Sequence, residues 1–211
     1  MTALIFGLWQ TPFLVPLKIL IVFLHELSHA IAVIVTGGQV ESLSLSPRQG
    51  GMVLARGGNR FVSLSAGYLG SLLIGMALLL AALRSRADRK VVAFCGAVTL
   101  LVTLLYVREA FALTFGLATG LGMLAMARFL GHGPNDLLLR VVGLTSMIYV
   151  PYDIFSDTIA RSALRSDARM LAEEFGGTTM MWGGIWLIIS LAAIAWCLRY
   201  GLGRQSNLRL R

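Results

Sequence analysis

His25-Glu26-Leu27-Ser28-His29 carries the residue types and spacing of a hydrolytic metal site. Two histidines at i and i+4 lie on one face of a helix, where their imidazoles can share one metal ion. The glutamate between them lies close to that face and can serve as general base toward a metal-activated water. The flanks set the place of this chemistry. Leu20-Ile21-Val22-Phe23-Leu24 precedes the motif and Ala30-Ile31-Ala32-Val33-Ile34-Val35 follows it, inside an apolar run from Pro12 to Thr36. An ionisable side chain at mid-bilayer costs about 2.5–3.5 kcal/mol on insertion scales, so such residues usually face a cavity or a partner and mark function. Glu26, set between two of the chain's three histidines, therefore calls for a ligand, and a metal supplies one.

Two histidines do not fill a zinc site, because catalytic zinc usually takes three protein ligands and a water. The metzincin continuation needs glycine at position 32 and histidine at position 35; the chain has Ala32 and Val35 there. Glu41 follows His29 closely, but in a stretch of strand character. Asp153, in Tyr149-Val150-Pro151-Tyr152-Asp153-Ile154-Phe155, is the expected third ligand of Zn²⁺ beside His25 and His29, with Glu26 as the catalytic base. Asp157 lies one helical turn on, shares that face, and is the alternative. Whichever carboxylate does not bind the metal could orient a histidine from outside.

The elements that must position these residues are apolar spans. The chain of 211 residues is 57% hydrophobic and 13% charged, against about 25% charged in soluble domains. Several windows of about 20 apolar residues are long enough to cross a bilayer as helix. The expected fold is an all-α polytopic membrane protein, a single domain over residues 1–211, with about six transmembrane helices and a short β-hairpin after the first. The spans are Pro12 to Thr36, Phe61 to Leu83, Val91 to Val107, Ala110 to Leu130, Leu137 to Phe155 and Met180 to Tyr200. Between the first two, Val40 to Ser46 alternates apolar and polar residues, Pro47-Arg48-Gln49-Gly50-Gly51 signals a turn, and Met52 to Ala55 can return as a second strand. The hairpin must lie at the interface or against protein, and it could either cap the structure or pair with an extended substrate.

Span two holds Ser63, Ser65, Ala66, Gly67, Gly70, Ser71 and Gly75, small residues that let helices approach closely in membranes; Gly116 and Gly120 are read the same way. Gly131 to Asp136 reads as a turn, with His132 a solvated loop residue. Ser156 to Thr178 reads as a polar segment. Cys95 and Cys197 lie in apolar runs and are read as small buried hydrophobes, not a disulfide. Met1 to Leu8 lacks the basic stretch of a secretory signal, so the first span is expected to be retained.

The net charge of +8 is no nucleic-acid footprint, since the basic residues cluster at span ends. The expected partners are the lipid bilayer and a membrane protein substrate, with no nucleic acid. The basic 84–90 loop and the tail with Arg204, Arg209 and Arg211 fall on one side. The positive-inside rule makes that side cytoplasmic, with both termini inside a plasma (inner) membrane.

The sequence resembles the site-2 protease family of intramembrane zinc metalloproteases, and most closely its compact bacterial and plant branch. The likeness rests on His25-Glu26-Leu27-Ser28-His29-Ala30 in a membrane helix and on Thr36-Gly37-Gly38 leading into a hairpin. It rests also on Ser65-Ala66-Gly67-Tyr68-Leu69-Gly70-Ser71, and on Tyr152-Asp153-Ile154 followed by Asp157 and by Ser166-Asp167-Ala168. The family's late Asn-x-x-Pro stretch leading to Leu-Asp-Gly is absent, and Tyr-Asp-Ile stands in its place. The resemblance implies zinc-dependent cleavage of peptide bonds in or near membrane segments. The alternative is a metal-binding membrane protein without protease activity, a transporter or a pseudoprotease. Against a transporter, spans two, three and six carry no internal His, Asp or Glu.

Overall fold

The computed structural model describes residues 11–161 and 165–201. The readings made on Met1 to Leu8 and on Arg204, Arg209 and Arg211 lie outside the described residues. A single 3₁₀ turn, Pro12–Leu14, leads into helix α1 (Val15–Val35). The hairpin of β1 (Gln39–Ser46) and β2 (Gly50–Arg56) follows. Then come α2 (Arg60–Arg84), α3 (Asp88–Tyr106), α4 (Ala110–Phe129) and α5 (His132–Phe155). A π-helical turn, Ser156–Ala160, extends α5 and precedes the short α6 (Asp167–Phe175) and the final α7 (Thr179–Gly201). Six of these helical stretches are long and apolar enough to cross a membrane, as the sequence predicts. The protein is an integral membrane protein by that measure.

α1 is the central span. Within its most apolar window 78% of residues are buried, against 28%, 28% and 22% for α3, α4 and α7, whose outer faces are left to lipid. It packs on α2, on both strands and on α5. Its end is set locally: the Thr36 hydroxyl donates to the Ala32 carbonyl at 2.7 Å, and Gly37, at φ +84°, turns the chain so that the Gly38 N–H donates to Val33 O at 2.8 Å. The strands pair antiparallel, Leu45 opposite Gly51 and Leu43 opposite Val53, with an irregularity at Glu41. Alternation buries Leu43 and Leu45 against α1, α3 and α4 while the serines between them turn away. The hairpin thus lies against protein. The chain re-enters as α2 behind Asn59, whose side chain accepts from the Val62 N–H and whose own N–H donates to the Thr36 hydroxyl.

Small residues bring the spans together. A β-carbon on Gly70 would lie 2.7 Å from the Ser28 β-carbon, so α1 and α2 meet there with nothing between. Ser146 of α5 donates to the Ser71 carbonyl of α2 at 2.8 Å, and Gly75 and Gly143 close the same seam. Gly116 and Gly120 of α4 press on Thr103, Leu100 and Gly96 of α3, which is the helix-packing use of that spacing.

Two expectations change. The Gly133-Pro134-Asn135-Asp136 stretch is not a free turn: α5 begins at His132, and Pro134 sits in its first turn, where a missing N–H leaves no bond unmade. The Asn135 amide reaches back to the carbonyl of Gly131 at 2.8 Å. His132 is not simply solvated, since its Nδ1 stands 2.5 Å from Oδ2 of the buried Asp88. Within the polar 156–178 segment, the chain folds back as α6, whose Ala168 and Leu171 are buried against the bundle.

Candidate metal centre

His25 and His29 lie one turn apart on α1 and converge, with their Nε2 atoms 3.0 Å apart. The Nδ1–H of His29 donates to the Ser63 carbonyl of α2 at 2.7 Å. That bond fixes the tautomer and leaves Nε2 with a free lone pair, the usual way a protein prepares a histidine for metal. A third donor completes the group. Asp167 Oδ2 stands 3.0 Å from His25 Nε2 and 3.2 Å from His29 Nε2. Among the described residues these three form the one cluster of metal-ligand type.

Asp167 reaches the site because of how α6 starts. Ser166 caps the helix by accepting from the Arg169 N–H, which puts Asp167 in the first turn, where a carboxylate is favoured by the helix dipole. Burial alone would raise its pKa, but the imidazoles, His29 foremost, hold the carboxyl well below the usual carboxylate range. α6 itself is fastened to α2. Arg60 donates to Glu174 through Nη2 at 2.6 Å and Nε at 3.1 Å, and Phe61 packs edge-on against Phe175 and Trp182.

Asp167, rather than Asp153, is thus the carboxylate that touches both imidazoles. Asp153 gives no oxygen to the cluster. Asp157 is committed elsewhere: it accepts from the Tyr68 hydroxyl at 3.0 Å and pairs with Arg161 at 2.5 Å. It also lies in the π-helical turn, where the i, i+4 face relation to Asp153 no longer holds. Tyr68 packs its ring edge-on to His25, with centroids 4.6 Å apart, so Asp157 supports the histidine at one remove.

The donor set and the space both suit a tetrahedral ion. Donors on zinc with bonds of about 2.0–2.1 Å stand roughly 3.3 Å apart, close to the observed triangle. A β-carbon on Gly67 of α2 would lie 2.4 Å from His25 Nε2 and 2.5 Å from His29 Nε2. Glycine therefore keeps open the volume against both nitrogens that a metal needs. Glu26 is 5% exposed, lies beside His25, His29 and Asp167, and rests its carboxylate against Gly51 of β2.

A family model described as peptidase M50B-like matches residues 1–197. The chain belongs to that family, the site-2 proteases. The M50B-like chain brings together two histidines and a carboxylate, with the Glu26 carboxylate beside them. No curated protein and no solved structure matched the chain.

Proposed function

We propose that this M50B-like protein is an intramembrane zinc metalloprotease that hydrolyses peptide bonds in or near membrane segments of protein substrates. His25, His29 and Asp167 would hold the metal, and Glu26 would act as general base and acid. The observation that carries this reading is Glu26 itself: a buried carboxylate in the central span, beside three convergent donors and outside their triangle. Pure metal binding does not need it.

Bound zinc would supply Lewis acidity, polarising the scissile carbonyl and lowering the pKa of a water toward about 7. The chain's own groups supply the rest. Ser63 holds the His29 imidazole in register and Tyr68 backs that of His25, so that the reacting geometry is set before substrate arrives. Glu26 takes the proton of the attacking water and returns it to the leaving amine. A peptide bond in a membrane helix is already hydrogen-bonded, so the substrate must unwind to be cut. Among the described residues β2 pairs only with β1, and its residue Gly51 touches Glu26. An extended substrate strand pairing with β2 would pass beside the base. The 84–90 loop, with Arg84, Arg86, Arg89 and Lys90, would face the cytoplasm of a plasma (inner) membrane.

The test is Glu26→Gln in purified protein presented with a helical membrane reporter. Full zinc content with cleavage lost supports the proposal. Cleavage at the wild-type rate overturns the mechanism. A wild-type protein that holds zinc but cuts no helical membrane reporter favours a non-proteolytic metal-binding role.

A further inference from the structure

The back of α1 borders a cavity of about 270 Å³. Leu20, Phe23, Leu24, Leu27 and Ile31 form its α1 wall, at i, i+3, i+4, i+7 and i+11. At 3.6 residues per turn this stripe lies roughly half a turn from His25 and His29. The remaining walls come from α2, α3, α4 and α5, all membrane spans, and Thr99 is the one lining residue with a hydroxyl. Ile31 and Phe94, at the rim, are 47% and 69% exposed, so the cavity is continuous with the lipid-facing surface.

We propose that this cavity takes one acyl chain of a bilayer phospholipid, seated directly behind the metal-binding helix. A water or polar ligand needs two to four polar partners, which this lining does not offer. The opening at Ile31 and Phe94 lies within two spans, so the occupant comes from the bilayer. An acyl chain is the surrounding solvent at this depth, so it enters without desolvation and restores the dispersion contacts that an empty apolar void forfeits. The proposal is independent of proteolysis and stands or falls apart from it.

The test uses the full chain in nanodiscs whose phospholipid carries a photoactivatable diazirine on one acyl chain, with cross-linked positions mapped by mass spectrometry. Labelling at Cys95, Val98 and Leu138 is expected to exceed several-fold that at Ile188 and Leu191, which face outward on α7. Val98→Phe, which narrows the cavity, should lower the excess at Leu138 and leave Ile188 unchanged. Should that variant not fold, Cys197→Ser leaves Cys95 as the one thiol. Its reaction with an alkyl maleimide in detergent should slow several-fold when phospholipid is restored. Equal labelling of cavity and α7, or a Cys95 rate indifferent to phospholipid, overturns the proposal.

Discussion

A β-carbon on Gly67 would stand 2.4 Å from Nε2 of His25 and 2.5 Å from Nε2 of His29, in the space that an ion shared by the two would need. The neighbouring helix thus shapes the centre by lacking a side chain. Gly67→Ala is expected to fold, because the clash is with side-chain tips, yet to weaken zinc binding on the order of 100-fold, the upper end of what disturbing a ligand's support costs. Competition with a chelator of known affinity measures this. Wild-type affinity in the alanine variant would mean that the ion sits elsewhere.

Gly51 makes the matching contact with Glu26, its missing β-carbon falling 2.6 Å from Cγ and from Oε1. Gly51→Ala must push the base aside while leaving the ligands alone. A displacement of about 1 Å at a reacting group can cost on the order of 100-fold in rate. The expected outcome is a kcat lowered by that order with zinc content unchanged. A fall in zinc content together with rate would show that the hairpin supports the ligands instead.

Asp167 should leave a mark on acid stability. Its folded pKa lies below the unfolded value of about 3.9, so the carboxylate stabilises the fold above that pH and the contribution is lost as pH falls through and below it. Thermal melts of the metal-free protein from pH 7 to pH 3 should fall more steeply for wild type than for Asp167→Asn. Parallel curves would count against the ion pairing with the histidines.

The spans, the hairpin and the two histidines were legible because hydrophobic period and motif spacing are local. The helix-packing use of Gly116 and Gly120 was legible for the same reason. Asp167 was not read as a ligand, although Ser166-Asp167-Ala168 carried part of the family likeness, because it lies 142 positions from His25 in a polar segment outside the spans. Asp153 attracted the role by lying within an apolar span, where a carboxylate is costly. The return of the chain as α6 depends on Ser166 as its cap and on the buried Ala168 and Leu171. The serine–aspartate start of α6 was the local signal available, a capping residue that fixes where the next carboxylate points.

The tie between Arg60 and Glu174 is partly exposed, so it is worth about 0–1 kcal/mol. Glu174→Ala should therefore weaken zinc binding by no more than about fivefold, and the reversed pair Arg60→Glu with Glu174→Arg should recover it. A loss as large as that from removing Asp167 would show that this pair, rather than the capped helix start and the packing of Phe61, sets the ligand's position.

The most direct test of the centre is the zinc bound per chain by purified Asp167→Ala, Asp153→Ala and wild type, after equilibration against one chelator buffer. About one zinc is expected in wild type and in Asp153→Ala, and little in Asp167→Ala. Zinc retained by Asp167→Ala and lost from Asp153→Ala would contradict it.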